Sequence, residues 1–220
     1  MSVRIETHLI TTNNKGKKGQ NHPTYIVIHD TGNKSDTADA MNHYKWLQSN
    51  ENTGASAHVF VDDHMAVQVI EYDTPAWHTG KRYLPYPKVP GCTNFNSIGV
   101  EFCVNKGSNL QKTLEHTAEV IALLMNEYRI PLDKVITHQM SSGKECPRTF
   151  IEHPEYFKQL RERLQIVPTH SQAYEAIAFL ASESVINSAD YWLKHLKDVP
   201  YLDELFINMA RTIHTYKERT

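Results

Sequence analysis

Two histidines in this chain each follow a short apolar run, and a cysteine lies close after the second. Residues 25–28 run into His29, and residues 135–137 run into His138. Such runs predict buried strands that deliver each histidine to a turn. Cys146 follows in a polar loop. Two imidazoles, one thiolate and a vacant fourth position are what a catalytic zinc requires, so the three residues predict an open Zn²⁺ site.

A less specific explanation exists for each histidine alone. The chain has 13 His, and a histidine at a strand end is more often a surface residue or a satisfied hydrogen-bonding group. One observation favours a metal ligand, and a second indicates that the site would be open. The cation of Lys144 favours the thiolate form of Cys146. A closed structural site would need another ligand in a tight spacing such as C-x-x-C, and the sequence has none.

One carboxylate interrupts a third apolar segment. Residues 97–104 read Ser-Ile-Gly-Val-Glu-Phe-Cys-Val, which predicts a buried strand containing Glu101. A charge in a buried strand is costly unless it is paired or functional. Glu101 is therefore either a salt-bridge partner or a member of an active site, and the segment alone leaves both open.

Five motifs carry a family resemblance. They are I-H-D-T at 28–31, S-A-H-V-F at 56–60, A-W-H-T-G at 76–80, N-S-I-G-V-E-F at 96–102, and T-H followed by K-E-C-P within 137–147. Together they resemble the zinc N-acetylmuramoyl-L-alanine amidases of the type-2 amidase and peptidoglycan recognition protein superfamily. The likeness is greatest to endolysins and autolysins of Gram-positive bacteria and their phages.

The resemblance implies a reaction and roles for five residues. His29, His138 and Cys146 match the metal ligands of the family. The zinc would polarise the scissile amide and activate a water. Glu101 would act as general base, passing the proton to the leaving nitrogen. Lys144 would stabilise the oxyanion of the tetrahedral intermediate. The bond cut would join N-acetylmuramic acid to the L-alanine of the stem peptide.

The resemblance also implies substrate contacts from the remaining motifs. Thr31, His58, Trp77, His78 and Asn96 are the candidates. By its position within a strand, His58 can face either the core or the cleft, and the resemblance favours the cleft. Trp77 has two expected roles, one at the substrate and one covering the edge of the core.

Composition excludes several classes of protein. The charges nearly balance, with 23 basic and 25 acidic residues, so no electrostatic reason favours a nucleic-acid partner. No apolar run approaches the roughly 20 residues of a membrane span. The polar first 18 residues lack the apolar core of a secretory signal, and 3 Cys do not predict a disulfide scaffold. We expect synthesis in the bacterial cytoplasm and action on the wall after release, through a holin if the gene is of phage origin.

The predicted elements alternate between strands and helices. Helices are expected at 35–50, capped by Ser35 or Asp36, and at 111–129 and 153–165; a hairpin is expected at 57–61 and 66–71, and a strand at 133–137. The stripe Leu114, Ala118, Ile121 and Met125 would bury one face of the second helix. The pattern predicts an α/β domain over residues 1–166, with a central mixed β-sheet flanked by helices.

A second region follows a linker predicted at 167–171. Residues 172–220 contain none of the motifs and predict a small all-α domain, with helices at 173–182, 188–196 and 201–216. Its shared core would use Ile177, Leu180, Trp192, Leu196, Leu202, Leu205 and Met209. The stretch Ala-Asp-Tyr-Trp-Leu-Lys is similar to a helical module of clostridial phage endolysins. That likeness implies a cell-wall-binding or accessory role. The small size of the region also makes self-association an expectation, because about 50 residues are marginally stable alone.

Three functional hypotheses follow. The favoured one is a bacteriolytic amidase acting on peptidoglycan. A non-catalytic peptidoglycan recognition protein is the alternative, although loss of the cysteine ligand marks such members and Cys146 is present. An unrelated structural or regulatory zinc protein is the third. The sequence does not choose between a phage lysin and a bacterial autolysin.

Overall fold

The chain folds into two compact units, residues 1–164 and 165–220. The structure, a computed structural model, describes residues 3–80, 89, 91–166, 170–195 and 202–217. Most of the predicted linker at 167–171 and the predicted core residue Leu196 lie outside the described residues, as does the side chain of Leu202.

A six-stranded mixed sheet forms the centre of the first unit. The order of the strands in the sheet is β1-β4-β3-β5-β2-β6. Among the six described strands, β3 and β4 pair antiparallel as a hairpin, whereas β2 pairs parallel with both β5 and β6. In chain order the strands are β1 Arg4–Thr7, β2 Tyr25–Asp30, β3 Val59–Val61, β4 Met65–Gln68, β5 Ser97–Phe102 and β6 Val135–Thr137.

Helices flank this sheet, which confirms the predicted α/β class. Helix α1 packs against β3 and β4, and α2 packs against β3, β4 and β5. The described helices of the first unit are α1 Ala40–Ser49, α2 Leu110–Tyr128, α3 His138–Ser142, α4 Arg148–Glu152 and α5 Pro154–Ile166. The short helices α3 and α4 were not predicted, because five residues are too few to show a helical period.

Helix α1 begins later than its sequence pattern predicts. Ser35 and Asp36 do not cap it; Ala38 donates to the Ser35 carbonyl in a separate turn (3.0 Å). The cap is Asp39, whose carboxylate accepts from the Asn42 N–H at 2.7 Å. Asp39 lies three residues before Asn42, the usual spacing between a capping side chain and the amide that it binds. Ser35 and Asp36 are too far from this amide in the sequence, so the helix starts at Ala40.

Helix α2 follows its pattern closely. The Asn109 side chain caps it by accepting from the Lys112 N–H. Leu114, Ala118, Ile121 and Met125 are all buried, so the predicted apolar stripe is confirmed. No described helix combines the length and apolar character that a membrane span needs.

The second unit contains three described helices: α6 His170–Ser182, α7 Ala189–His195 and α8 Leu202–Lys217. Ser188 caps α7 by accepting from the Tyr191 N–H. Leu205 is 53% exposed, so its predicted place in the core is wrong. Phe206 and Ile207 fill that place on α8. The buried core of the unit consists of Ala176, Ile177, Leu180, Phe206 and Ile207, with Trp192 and Met209 packed against it.

Asp62, which is 3% exposed, ties the β3–β4 hairpin to α1. One carboxylate oxygen accepts from the Ala40 N–H at 2.9 Å. The other accepts from the His64 and Met65 N–H groups at 2.7 and 2.8 Å. A single side chain therefore satisfies the first turn of the helix and shapes the hairpin turn.

We predict that Asp62→Ala lowers the free energy of unfolding by about 3 kcal/mol, because it leaves three backbone donors without their acceptor. Asp36→Ala is the matched control and should change stability by less than about 0.5 kcal/mol. Urea unfolding followed by circular dichroism measures both. Equal stability of the two variants would contradict this role of Asp62.

Candidate active site

The register of the parallel strands brings the first site residues together. His29 on β2 pairs directly with Glu101 on β5. Ile28 pairs with Thr137 on β6, so His138 follows at the same end of the sheet. Parallel strands deliver their carboxyl ends to one edge, which is where open α/β sheets place ligands.

His138 directly follows strand β6, as predicted, and is the first residue of the short helix α3. Thr137 caps this helix by accepting from the Met140 N–H, and Gly143 ends it at φ +87°. The Gln139 N–H donates to the Cys146 carbonyl at 2.8 Å. The turn of α3 therefore carries Cys146 back beside His138.

His29, His138 and Cys146 form a buried cluster. One donor atom from each lies within 4.8 Å of the others. The His29 Nδ1 is 3.7 Å from the Cys146 Sγ, and the rings of His29 and His138 are 4.5 Å apart. The His138 Nδ1 is buried with no hydrogen-bond partner among the described residues. A tetrahedral zinc with bonds of about 2.0–2.3 Å holds its donors at comparable separations, so this set fits the ion.

Burial sets the protonation of these ligands. It lowers the pKa of His29 well below its usual value, with repulsion from His138 adding to the effect. It also lowers the pKa of His138 to about 4. Both imidazoles are therefore neutral near pH 7 and offer lone pairs. Burial raises the pKa of the Cys146 thiol, so a metal must displace that proton when it binds.

Glu101 lies beside the cluster with a carboxylate oxygen that no described group hydrogen-bonds. Burial raises the pKa of Glu101 well above its usual value, Asp30 raises it further, and Lys144 opposes the shift. No salt bridge to Glu101 occurs among the described residues, which argues against a purely structural carboxylate. A buried carboxyl with a free oxygen is suited to proton transfer.

One cavity of about 470 Å³ opens onto this cluster. Eight of the ten predicted site residues line it: His29, Thr31, Trp77, His78, Glu101, His138, Lys144 and Cys146. Lys144, two residues before Cys146, is exposed and lines the cavity. Trp77 lines the cavity and also packs edge-on against Phe95, with the ring centroids 6.4 Å apart.

His58 does not face the cavity, and its prediction as a substrate contact is corrected. Its side chain is 0% exposed. The Nδ1 accepts from the Gly99 N–H and the Nε2 lies 2.9 Å from the Thr74 carbonyl. Both ring nitrogens thus bind backbone groups, and none is left for a substrate.

Asn96 is likewise not among the residues that line the cavity. Its side-chain oxygen accepts from the N–H and hydroxyl of Thr93, and its amide donates to the Gly91 carbonyl at 3.0 Å. Asn96 therefore shapes the turn that leads into β5. These bonds give Asn96 a role in the backbone of the turn, and its contact with substrate stays a prediction.

Helix α1 supplies a wall of the cavity that the motifs did not indicate. Asn42, His43 and the 53% exposed Trp46 line it. His43 stacks on Phe60 with centroids 5.0 Å apart, and its Nε2 has no described hydrogen-bond partner. In the sequence, the signal for this wall was a tryptophan that shares one face of the helix with polar residues.

Comparison with known proteins agrees with this geometry. The model of the family described as N-acetylmuramoyl-L-alanine amidase matches residues 19–149. The N-acetylmuramoyl-L-alanine amidase CwlH of Bacillus subtilis is 36% identical over 152 residues, which are 69% of this chain and 58% of that protein. CwlA of a Bacillus species is 37% identical over 133 residues, or 60% of this chain and 49% of that protein. The chain thus spans about half the length of these curated relatives.

Solved structures show the same fold. The catalytic domain of XlyA superposes with a TM-score of 0.64 at 31% identity, covering 74% of this chain and 99% of that one. A mutant endolysin from Bacillus subtilis gives the same TM-score, identity and coverage. The first unit therefore has the amidase and endolysin fold.

We predict that the protein holds one zinc per chain and that the double variant Cys146→Ser, His138→Ala holds none after dialysis, because two of three donors are gone. Elemental analysis measures the metal. The double variant Cys92→Ser, His64→Ala alters the same residue types outside the cluster and should retain zinc. Undiminished zinc in the first variant would refute this ligand set.

Proposed function

Because the chain belongs to the N-acetylmuramoyl-L-alanine amidase family, we propose that it hydrolyses peptidoglycan at the amide between N-acetylmuramic acid and L-alanine. The observation that carries the proposal is the cluster of His29, His138 and Cys146 beside Glu101 in one cavity. A donor set with an open position and an adjacent free carboxyl is the arrangement that amide hydrolysis needs.

Zinc is the cofactor that best suits two neutral imidazoles and a thiolate. When bound, it polarises a carbonyl and makes water a stronger nucleophile near neutral pH. The role of the three ligands is to hold it at the base of the cavity. Their burial excludes competing water and keeps the donor geometry fixed.

Glu101 is the proposed general base. Its free oxygen removes the proton of the attacking water and then delivers it to the leaving nitrogen. Burial raises the pKa of Glu101, and a higher pKa makes the carboxylate a stronger base. A dication held by His29, His138 and Cys146 would favour the ionised form of Glu101.

Lys144 is the proposed oxyanion stabiliser. It lines the same cavity, and its positive charge already acts on both His138 and Glu101. An ammonium group that faces the carbonyl oxygen stabilises the negative charge of the tetrahedral intermediate.

The cavity walls supply the proposed substrate contacts. Thr31 has a buried hydroxyl with no described partner, and His43 has a similar ring nitrogen. Trp77 and Trp46 present aromatic surface at the same cavity. Free polar atoms beside aromatic rings suit a ligand that combines amides with sugar faces, as muropeptides do.

The second unit is proposed as an accessory domain, covering residues 172–220 after a catalytic domain at 1–166. Its role is to bind the cell wall or to mediate self-association. The enzyme would act at the wall as a phage lysin, released through a holin, or as a bacterial autolysin. A non-catalytic recognition protein is the competing function, and the presence of both Cys146 and a free Glu101 favours catalysis.

Mass spectrometry of digested peptidoglycan tests the proposal directly. An amidase creates new L-alanine amino termini and no new reducing sugar ends. New reducing ends would indicate a glycosidase instead. Unchanged peptidoglycan with measurable binding would establish the recognition protein.

We predict that Glu101→Gln keeps zinc and substrate binding but lowers turnover about a hundredfold or more, because it removes the base. The acidic limb of its pH–rate profile should flatten. Lys144→Met should lose a comparable factor while keeping that limb, since it removes only oxyanion stabilisation.

Stability separates this role from a structural one. The raised pKa of Glu101 means that the folded state disfavours the ionised carboxyl, a cost that appears as pH rises above the pKa of the unfolded chain. At neutral pH the metal-free Glu101→Gln protein should therefore melt at a higher temperature than the wild type. A lower melting temperature with unchanged turnover would identify Glu101 as a structural partner.

We predict that a chain truncated after residue 166 still cleaves soluble muropeptides but loses rate on intact walls, because a second wall-binding unit raises the effective concentration. Pull-down with purified walls and turbidity of whole cells measure the two properties. Equal wall binding by both chains would exclude targeting. Light scattering would then show whether the second unit mediates self-association.

A further inference from the structure

A chain of hydrogen bonds runs from a loop carbonyl to the proposed metal ligand His29. The Ser97 hydroxyl donates to the Thr93 carbonyl at 2.5 Å. The Ser97 Oγ lies 3.2 Å from the His78 Nε2. The His78 Nδ1 lies 3.1 Å from the His29 Nε2. All three side chains are at least nine-tenths buried, so each bond is shielded from water.

The donors along this chain have one consistent direction. The Ser97 hydroxyl has one proton, and it donates that proton to the Thr93 carbonyl. The Ser97 oxygen therefore accepts a hydrogen bond from the His78 Nε2–H. The His78 Nδ1 is then a bare acceptor, and it takes the Nε2–H of His29. This leaves the lone pair of the His29 Nδ1 facing the Cys146 Sγ at 3.7 Å. This chain of hydrogen bonds thus favours the His29 tautomer that carries its proton on Nε2. In that tautomer Nδ1 can bind a metal beside the thiolate.

The backbone around His78 is built to hold its ring. A Cβ at Gly99 would lie 2.8 Å from the His78 Cγ, which is too close. The His78 ring therefore packs against β5 at a position where the strand has a glycine. The Asn94 side-chain oxygen accepts from the N–H groups of His78 and Thr79 at 3.1 and 2.8 Å. Ring and backbone are therefore both fixed.

The same segment also reaches the second histidine ligand. The Ser141 hydroxyl donates to the His138 carbonyl at 3.0 Å. Its oxygen lies 2.6 Å from the Thr79 hydroxyl, which must then be the donor because Ser141 has already used its proton. Neighbouring residues 78 and 79 thus brace His29 through its ring and His138 through the start of α3.

We infer that His78 is a positioning residue for the metal site, and that its contribution runs through the orientation and tautomer of His29 and not through contact with substrate. The inference rests on the zinc site of the proposed function. Without the His78 acceptor, the buried Nε2–H of His29 has no partner, and the ring gains freedom to rotate or to move its proton to Nδ1. Either change removes the lone pair from the site.

Zinc affinity, measured by competition with a chromophoric chelator, tests this inference without relying on turnover. His78→Leu should weaken zinc binding about 10–100-fold, the usual effect of losing a partner of a ligating histidine. His78→Asn should recover most of the affinity, because its side-chain oxygen can occupy the place of Nδ1. Ser97→Ala should weaken binding less than His78→Leu, since it removes only the bond that sets the tautomer of His78.

Cobalt(II) supplies a second readout. The wild-type cobalt protein should show the thiolate charge-transfer and ligand-field bands of a four-coordinate site. In His78→Leu these bands should shift or broaden as His29 loses its fixed orientation, whereas His78→Asn should keep them. His64→Leu, at an exposed histidine in the β3–β4 turn, is the matched control and should alter neither bands nor affinity.

The outcomes separate this inference from the zinc site itself. If the wild type binds no zinc, the metal part of the proposed function fails. If the wild type binds zinc and Cys146→Ser does not, but His78→Leu binds as tightly as the wild type, the positioning role is overturned. Thermal melting of the metal-free proteins identifies a folding defect. Should His78→Leu fail to fold, wild-type affinity and spectra in Ser97→Ala would overturn the inference.

Discussion

The pairing of β2 with its two parallel neighbours is the constraint on which the rest of this molecule depends. The register sets His29 opposite Glu101 and Ile28 opposite Thr137, so the proposed metal ligand, the proposed base and the start of α3 meet at one edge. A slip of one residue would turn each side chain to the other face of the sheet. The fully buried Ile26, Val27 and Ile28 make such a slip costly, so the core of the sheet also fixes the site.

A second layer of buried polar groups lies behind the proposed metal ligands. His58, His78 and Ser97 use backbone and side-chain partners to fill the space behind the ligands. Burial that would be costly for isolated polar groups is offset because each has a partner. Free polar atoms remain at Thr31, His43, Glu101 and His138, which all line the cavity. Of the seven buried side-chain atoms that lack a hydrogen-bond partner among the described residues, four therefore belong to residues that line the cavity.

Two aspartates fix the start of α1, which supplies one wall of the cavity. Its first N–H group is bound by Asp62 from the hairpin and its third by Asp39. This double attachment places Asn42, His43 and Trp46 across from the cluster. In the second unit, α6 and α8 build a small core of their own around Ile177, Leu180 and Phe206. A core of this size gives limited stability, in keeping with the accessory role proposed for it.

The sequence alone determined the α/β class, the apolar stripe of α2 and the proximity of His29, His138 and Cys146. Residue type and period carry that information directly. The start of α1 and the exposure of Leu205 were mispredicted because competing caps and faces differ by little in local energy. The burial of His58 and the place of His78 behind His29 were decided by tertiary structure alone. Strands buried on both faces lose the alternation that tells inside from outside, and the partners of these rings come from distant parts of the chain.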